Sequence, residues 1–506
     1  MNSVAASQPA IRFDDFSLAF ATRHSVHTIL EGCNLDVPKG GFYLLRGPSG
    51  SGKSTILRWL TGLWGEREQK PKVSGCCEVL GDVIEFAYPT NLRRRVAAVL
   101  QDVGLLDDLS PRQNVELALN AAGRSPKLAL GLLSQAGLEH PPELVSALSG
   151  GMRKRAGVAR GLAAQPELFI FDEPTAGLDS AAARQLAELL FETHNTRNHT
   201  QTTLVITHDL EAFREIASGV IEIDAANKTL VLRNPGDPSL PAPTVGRPPT
   251  EAQPPDPILA GCRQVFSGLG SLTYTFATSI VHLPPVFVRL CGQSVLRHVL
   301  ESAFFIGLGS AMLGFLATYF ALRNSPLEGA FQDQILVGVG KVNVSVLTPL
   351  IAGFFFTARM AAGAAARMGT MKRSNQIAAL TLMGISPADY LLTPLVFGFC
   401  FAMPLVTLGG AALSSLASAG SASLVVGFSS ERWSEAFFST IGLEDIRFIL
   451  AKTVLSGFLV AVWTYHLAMG PKHSGRAVGD SVNLAIVVGM LTVLAVHGLL
   501  TVWQFT

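Results

Sequence analysis

Two rhythms of apolar and polar residues divide this chain. Up to about residue 233, short β-rich runs such as GFYLLRG, LFIFDEP and TTLVITHD alternate with helical stretches. That pattern predicts an α/β domain with a parallel sheet and crossover helices. Further on the apolar runs lengthen: 302–322, 390–430 and 481–506 hold no Asp, Glu, Lys or Arg. Such runs suit a bilayer core, which needs about 20 apolar residues per helical pass. The pattern predicts an all-α membrane domain of about five transmembrane helices, roughly 301–322, 336–366, 390–419, 446–470 and 481–505. A segment at about 270–298, with Arg289 and Arg297 among apolar residues, is expected to be an amphipathic helix in the interface. Between the two halves, NPGDPSLPAPTVGRPPTEAQPPDP is dense in proline and predicts an extended tether. The expected division is therefore 1–233, a linker at 234–258, and 259–506.

Composition agrees with a chain partly in lipid, at 48% hydrophobic and 15% charged residues. A net charge of +1 gives no argument for a nucleic-acid partner. The six cysteines have no metal-ligand or disulfide-framework spacing and read as small buried hydrophobes. The first residues lack the basic and apolar regions of a signal peptide, so the first domain is expected in the cytosol. The connection at 367–389 carries Arg367, Lys372 and Arg373, and that at 471–480 carries Lys472 and Arg476. Acidic residues dominate 323–335 and 420–445, so the positive-inside rule puts the connection 367–389 on the side of the first domain. It contains GTMKRSNQIAALTLMGISP, a short polar helix between two spans.

The first half holds a nucleotide site in pieces. GPSGSGKST follows the strand-like FYLL and precedes the helical TILRWLTGL, so the main-chain N–H groups of Gly47, Pro48's successors Ser49, Gly50, Ser51 and Gly52, and the helix start at Lys53, Ser54 and Thr55 can cradle phosphates. Lys53 would reach the β and γ phosphates of ATP and Ser54 would ligate Mg2+. LFIFDEP ends a hydrophobic strand on Asp172, the candidate metal residue, with Glu173 beside it as candidate base. LSGGMRKR lies about twenty residues earlier, AGLD follows at once, VLQD supplies Gln101 and ITHD supplies His208.

This ordered set resembles the ATP-binding cassette of ABC transporters over nearly all of 11–232. The resemblance implies that Ser149, Gly150 and Gly151 contact the γ-phosphate bound to an opposite cassette, and that Asp179 lies across the dimer interface. It also implies that Gln101 senses metal and water and that His208 holds the γ-phosphate. The family stacks an aromatic on adenine; alignment of IRFDDFSLAF puts Phe20 there, with Phe13 and Phe16 as alternatives belonging to the core. Since one chain with one cassette cannot complete a site, a homodimer with two composite ATP sites follows.

The membrane half resembles the MlaE/YrbE permeases, which move lipids in partnership with MCE proteins. The likeness rests on the Pro349 region, ARMAAGAAARMGTMK and QIAALTLMGISPADYL. It implies a location in the bacterial inner membrane, lipid as cargo, and a coupling helix between the second and third spans. Ile377, Leu380 and Thr381 share a helical face there; Gly384 can end the helix and Pro387 prevent its resumption. The chain departs from the family in reading SVLTP where charges are usual, and in placing Arg367 and His497 at acidic positions. Lys341, Lys452 and His497, all within proposed spans, are candidates for an anionic headgroup site. The alternatives are an exporter of another hydrophobic compound and a mechanical ATPase that drives a periplasmic partner without carrying cargo.

Overall fold

The computed structural model describes residues 8–21, 26–64, 70–196, 201–235, 285–324, 330–470, 472 and 474–506. The chain separates into two compact units. One takes the residues up to Pro254 together with Ser374–Ser386; the other takes Pro255–Arg373 and Pro387–Thr506. The proline-rich tether from residue 236 onward, and the expected interfacial helix as far as residue 284, lie outside the described residues.

The first unit is built on two sheets. One is antiparallel, in the order β2-β1-β4-β5, from β1 (Ile11–Ala21), β2 (Val26–Val37), β4 (Lys72–Val79) and β5 (Asp82–Val83). The second has six strands in the order β10-β9-β3-β8-β7-β6. In it β3 (Phe42–Arg46), β6 (Val96–Val99), β7 (Leu168–Asp172), β8 (Thr202–Ile206) and β9 (Gly219–Asp224) run parallel, and β10 (Thr229–Arg233) closes the edge antiparallel. Strands β3 and β8 are buried throughout because helices or the other sheet cover both faces. Helix α1 (Lys53–Thr61) packs on one face with Phe16, Trp59 and Leu60 in the core. After the short α2 (Leu92–Arg95), helices α3 (Pro111–Ala121), α4 (Ala129–Gln135), α5 (Gly150–Leu162) and α6 (Ser180–Asn195) build the other core, with Val115, Leu133, Val158 and Leu190. The parallel sheet matches its sequence pattern. The antiparallel sheet was not read from the sequence, and its geometry says why: β1 shifts register between Phe13 and Phe16 and again before Leu18, with Asp15 at φ 47°, so its apolar residues leave the two-residue alternation.

Among the described residues the second unit has five helices long and apolar enough to cross a membrane: Val288–Arg323, Phe331–Arg373, Ala388–Val426, Leu443–Ala468 and Gly475–Phe505. The first corrects an expectation. The described part of the amphipathic stretch is no separate helix but runs unbroken into the first span as Pro285–Arg323. The 36 residues from Val288 would reach about 54 Å, well beyond a hydrocarbon core, so the end bearing Arg289 and Arg297 can project past it. The second span carries π-helical turns at Asn343–Leu347 and Thr357–Ala361. First and third spans meet at Gly314, where a Cβ would lie 2.0 Å from the carbonyl of Ser414. Small and hydroxylated residues thus permit close helix packing, with Thr318 and Ser418 bonded through their hydroxyls at 2.6 Å. The acidic connection after the third span contains a short helix, Ser430–Phe438, pinned by Arg432 on Asp333 at 3.0 Å.

Candidate functional site

The all-buried strand β3 delivers the chain to Gly47, and a turn follows in which Gly50, at φ 81°, and Gly52 take up left-handed conformations that favour glycine. A Cβ on Gly52, at φ 99°, would stand 2.2 Å from Ile29 Cγ2. Helix α1 starts directly after it with no side-chain cap. Its first-turn N–H groups therefore depend on something other than the helix, the usual condition of an anion site. Lys53 Nζ curls back to donate to the carbonyls of Gly47 at 2.7 Å and Pro48 at 3.0 Å. Burial lowers its pKa, against the pull of Glu173 and Asp172. Ser51 Oγ is buried without a hydrogen-bond partner, so the loop holds an unsatisfied polar atom of the kind a phosphate oxygen would engage. Ser54 is exposed on the first turn of α1.

Strand β7 carries Asp172 to the same end of the sheet. Burial first, then the neighbouring Glu173, push its carboxyl up to about 6, while Lys53 and the main-chain N–H of Gln101 pull the other way. Glu173 occupies the left-handed region at φ 46°, an arrangement that costs a side-chain-bearing residue about 1 kcal/mol or more. It is fixed by its N–H on the Ile206 carbonyl at 2.8 Å and by its Oε2, 2.7 Å from His208 Nδ1. The expected base and the expected γ-phosphate histidine are thus brought into direct contact. Among the described residues no cluster of three or more His, Cys, Asp or Glu could hold a metal alone. The hard oxygen donors of Ser54 and Asp172 suit Mg2+, which binds through one or two protein groups together with substrate phosphates.

Ser149 caps α5, its Oγ accepting from Met152 N at 3.3 Å, and Gly150 is exposed beside it. Asp179 caps α6 in the same way through Ala182 N at 2.8 Å. Both expected cross-dimer elements are exposed helix starts. Phe13 and Phe16 are core residues at 5% and 1% exposure, whereas Phe20 is half-buried with its ring 6.0 Å from Trp64. Of the three phenylalanines, Phe20 alone has a face to offer.

Sequence reasoning missed two cations on α5. Lys154 is buried, and its Nζ donates to the carbonyls of Glu173, Pro174 and Ala176 at 3.3, 2.5 and 2.6 Å. Burial lowers its pKa. Arg160 donates to the carbonyls of Gly104 at 2.7 Å and Val103 at 2.5 Å, and burial takes its pKa down to about 10. In LSGGMRKR nothing marks Lys154 off from Arg153 and Arg155.

Residues 374–386 pack as part of this unit. Helix Gln376–Leu382 begins after Asn375, at φ 59°, and buries Ile377 (4% exposed) and Leu380 (0%) with Ala379. Leu382 and Met383 pack against the two cores. Gln376 Nε2 donates to Asp107 Oδ2 at 2.7 Å, and Arg93 reaches the carbonyl of the half-buried Thr381 at 3.4 Å. Gly384, at φ 74°, ends the helix: its N–H donates to the Thr381 carbonyl and that of Ile385 to Leu380. Pro387 does not prevent resumption; it stands immediately before the third span, where its missing N–H costs nothing.

The expected headgroup lysines need correction. Lys341 Nζ is 2.7 Å from Asp445 Oδ1, and Lys452, fully buried, donates to Gln504 Oε1 at 2.7 Å and the Ser345 carbonyl at 3.1 Å. Asp445 also accepts from Ser345, Gly442 and Gln504. These ammonium groups are engaged by the protein, so they are not open cations awaiting a lipid phosphate. The organising carboxylate was missed because the sequence pattern places it at the edge of a span. His497 is 4% exposed, and among the described residues neither ring nitrogen has a hydrogen-bond partner.

Two family descriptions match this chain: ABC transporter over residues 30–176 and Permease MlaE over residues 292–503. A methionine import ATP-binding protein of Paraburkholderia xenovorans is 35% identical over 226 residues, 43% of this chain and 57% of its own length. An L-cystine import ATP-binding protein of Bacillus subtilis is 34% identical over 210 residues, 39% of this chain and 78% of its own. A solved dimeric ATP-binding cassette in a post-hydrolysis state with ADP and Pi aligns with 26% identity over 45% of this chain and 99% of its own, at a TM-score of 0.39. The chain thus spans little more than half of the methionine protein.

Proposed function

Because the chain belongs to the ABC transporters and matches a MlaE permease behind its ATP-binding cassette, we propose that it is an ATP-driven lipid transporter of the bacterial inner membrane. In this reading it hydrolyses ATP as a homodimer with its cassettes in the cytosol, moves phospholipid, and works with an MCE-type periplasmic partner. The observation that carries the coupling of hydrolysis to a permease is the helix Gln376–Leu382. A connection between two membrane spans lays Ala378, Leu382 and Met383 against the two cores of the cassette unit. The lipid assignment is supported by the MlaE match; the amino-acid import relatives resemble the cassette half alone.

Within each cassette the P-loop and Lys53 bind the nucleotide phosphates, and Ser54, Asp172 and Gln101 would hold Mg2+, which would supply positive charge against the phosphates. Glu173 accepts the proton of the attacking water, and His208 keeps its carboxylate oriented at 2.7 Å. Ser149 to Gly151 and Asp179 of the second copy complete the site. The test is reconstitution into vesicles with labelled phospholipid in either leaflet, with and without the periplasmic partner. ATP-dependent relocation of label by the wild type, absent in Glu173→Gln, is the expected result. Hydrolysis without movement of label in any arrangement would overturn the lipid reading and leave a mechanical ATPase.

A further inference from the structure

We propose that Lys154 is a positioning residue for hydrolysis, holding the peptide of Glu173 in place from the helix that begins with the signature serine. This rests on the reading of Glu173 as the base. Helix α5 starts at its Ser149 cap, and Lys154 lies on its second turn, buried at 9% exposure. Its ammonium group donates to three carbonyls in the four-residue span 173–176, those of Glu173, Pro174 and Ala176. An ammonium group has three protons, so this set uses every donor it has.

The segment so held has reason to need holding. Glu173 stands in a left-handed conformation at φ 46°, and such a residue persists only where its surroundings over-determine it. Its N–H is tied to β8 through Ile206, its side chain to His208, and its carbonyl to Lys154 and to Ala176 N at 3.2 Å. Without the ammonium group, the carbonyls of Pro174 and Ala176 would lose their bonds from Lys154 Nζ, and the left-handed peptide would be free to relax toward the ordinary helical region. The carboxylate would swing with it. Nucleotide binding uses other groups, the P-loop and Lys53, so affinity and turnover should separate.

Lys154 also joins two functions that are separate in the composite site. The signature motif serves the nucleotide of the opposite copy, while Glu173 acts on the nucleotide of its own. Because one helix carries Ser149 at its start and Lys154 on its next turn, engagement of the signature at one site is linked to the donor that positions the base of the other. Cooperativity between the two sites then depends on this lysine.

The experiment uses the full-length dimer in nanodiscs and compares wild type, Lys154→Met, Lys154→Arg and Glu173→Gln. Methionine keeps the length and suits burial; arginine keeps charge and donors. Lys154→Met should lose about 10–100-fold in kcat, as expected for a misplaced catalytic group, with KM and nucleotide affinity within about twofold. It should trap unhydrolysed ATP as Glu173→Gln does, lower the Hill coefficient toward one, and be partly rescued in Lys154→Arg. Turnover within threefold of wild type in Lys154→Met would overturn the proposal. So would a parallel loss of nucleotide affinity and turnover in Lys154→Met with no rescue by arginine, which marks a merely structural lysine. If Lys154→Met does not fold, Lys154→Gln takes its place under the same criteria. Failure of Glu173→Gln to trap ATP would instead refute the assignment of the base.

Discussion

Leu380→Ala should release the helix Gln376–Leu382 from the cassette without disabling ATP hydrolysis. The side chain is fully buried, so truncation removes its transfer free energy and leaves a cavity, together about 2–5 kcal/mol. If that cost falls on docking, the ratio of docked to undocked helix drops roughly thirtyfold to several thousandfold, at 1.4 kcal/mol per factor of ten. The remaining holds include Leu382 and Met383 against the two cores, a charge-assisted bond from Gln376 to Asp107 worth about 1.5–3 kcal/mol, and one long bond from Arg93. They are of the same order as the loss, so the helix should populate the free state measurably. Leu380→Asp adds the cost of burying a carboxylate and should empty the docked state. Hydrogen exchange across 374–386 in nanodiscs reads the docking, and lipid moved per ATP hydrolysed reads its consequence. Protection should fall in order from wild type to Leu380→Ala to Leu380→Asp, with transport per ATP falling alongside. Unchanged protection and unchanged transport per ATP in Leu380→Asp would refute the argument.

If Asp172 is the metal residue, its buried carboxyl, raised from 3.8 to about 6, should make Mg2+ binding pH-dependent. A raised acid holds its proton in the folded protein between about pH 4 and 6, so its stabilising contribution fades as pH rises through that window, while Mg2+ requires the carboxylate. The gain in nucleotide affinity caused by Mg2+ should therefore shrink up to about tenfold per unit below pH 6, and titrations with and without EDTA check it; an undiminished gain at pH 5 would show that Asp172 is not the metal residue. In the membrane unit, Asp445→Asn and Lys341→Gln should be coupled by at least about 1 kcal/mol in a double-mutant cycle of thermal unfolding, because they meet at 2.7 Å. Strict additivity would deny the pair any energetic role.

The parts legible in the sequence are those with local signals. Gly47 to Ser54 announce a phosphate loop by residue type and spacing, and the uncharged runs announce spans by length. The helix end at Gly384 was legible for the same reason, since only a residue tolerant of φ 74° suits it. Contacts between residues far apart were not. Lys154 meets Glu173 nineteen positions away, and Asp445 gathers Lys341 and Gln504 from opposite ends of the membrane half. Such partners are chosen by packing, and a charged residue near the end of a span has the same local pattern whether it pairs inward or faces a headgroup. The register shifts of β1 hid an antiparallel sheet by breaking the alternation that would have revealed it.

The docked segment also sets an order of events during synthesis. The last strand of the cassette ends at Arg233, but residues 374–386, which complete its compact unit, emerge some 141 residues later. At roughly 5–20 residues per second, the ribosome needs on the order of 7–28 seconds to supply them. Throughout that interval the surfaces that later meet Leu382 and Met383 lack these neighbours. Two membrane spans must be translated before the missing piece arrives, so a failure of insertion would be felt as an unfinished soluble domain. A cassette cut out after its last strand, at residue 233, should accordingly carry a sticky apolar furrow, and adding a peptide of sequence SNQIAALTLMGIS should improve its solubility.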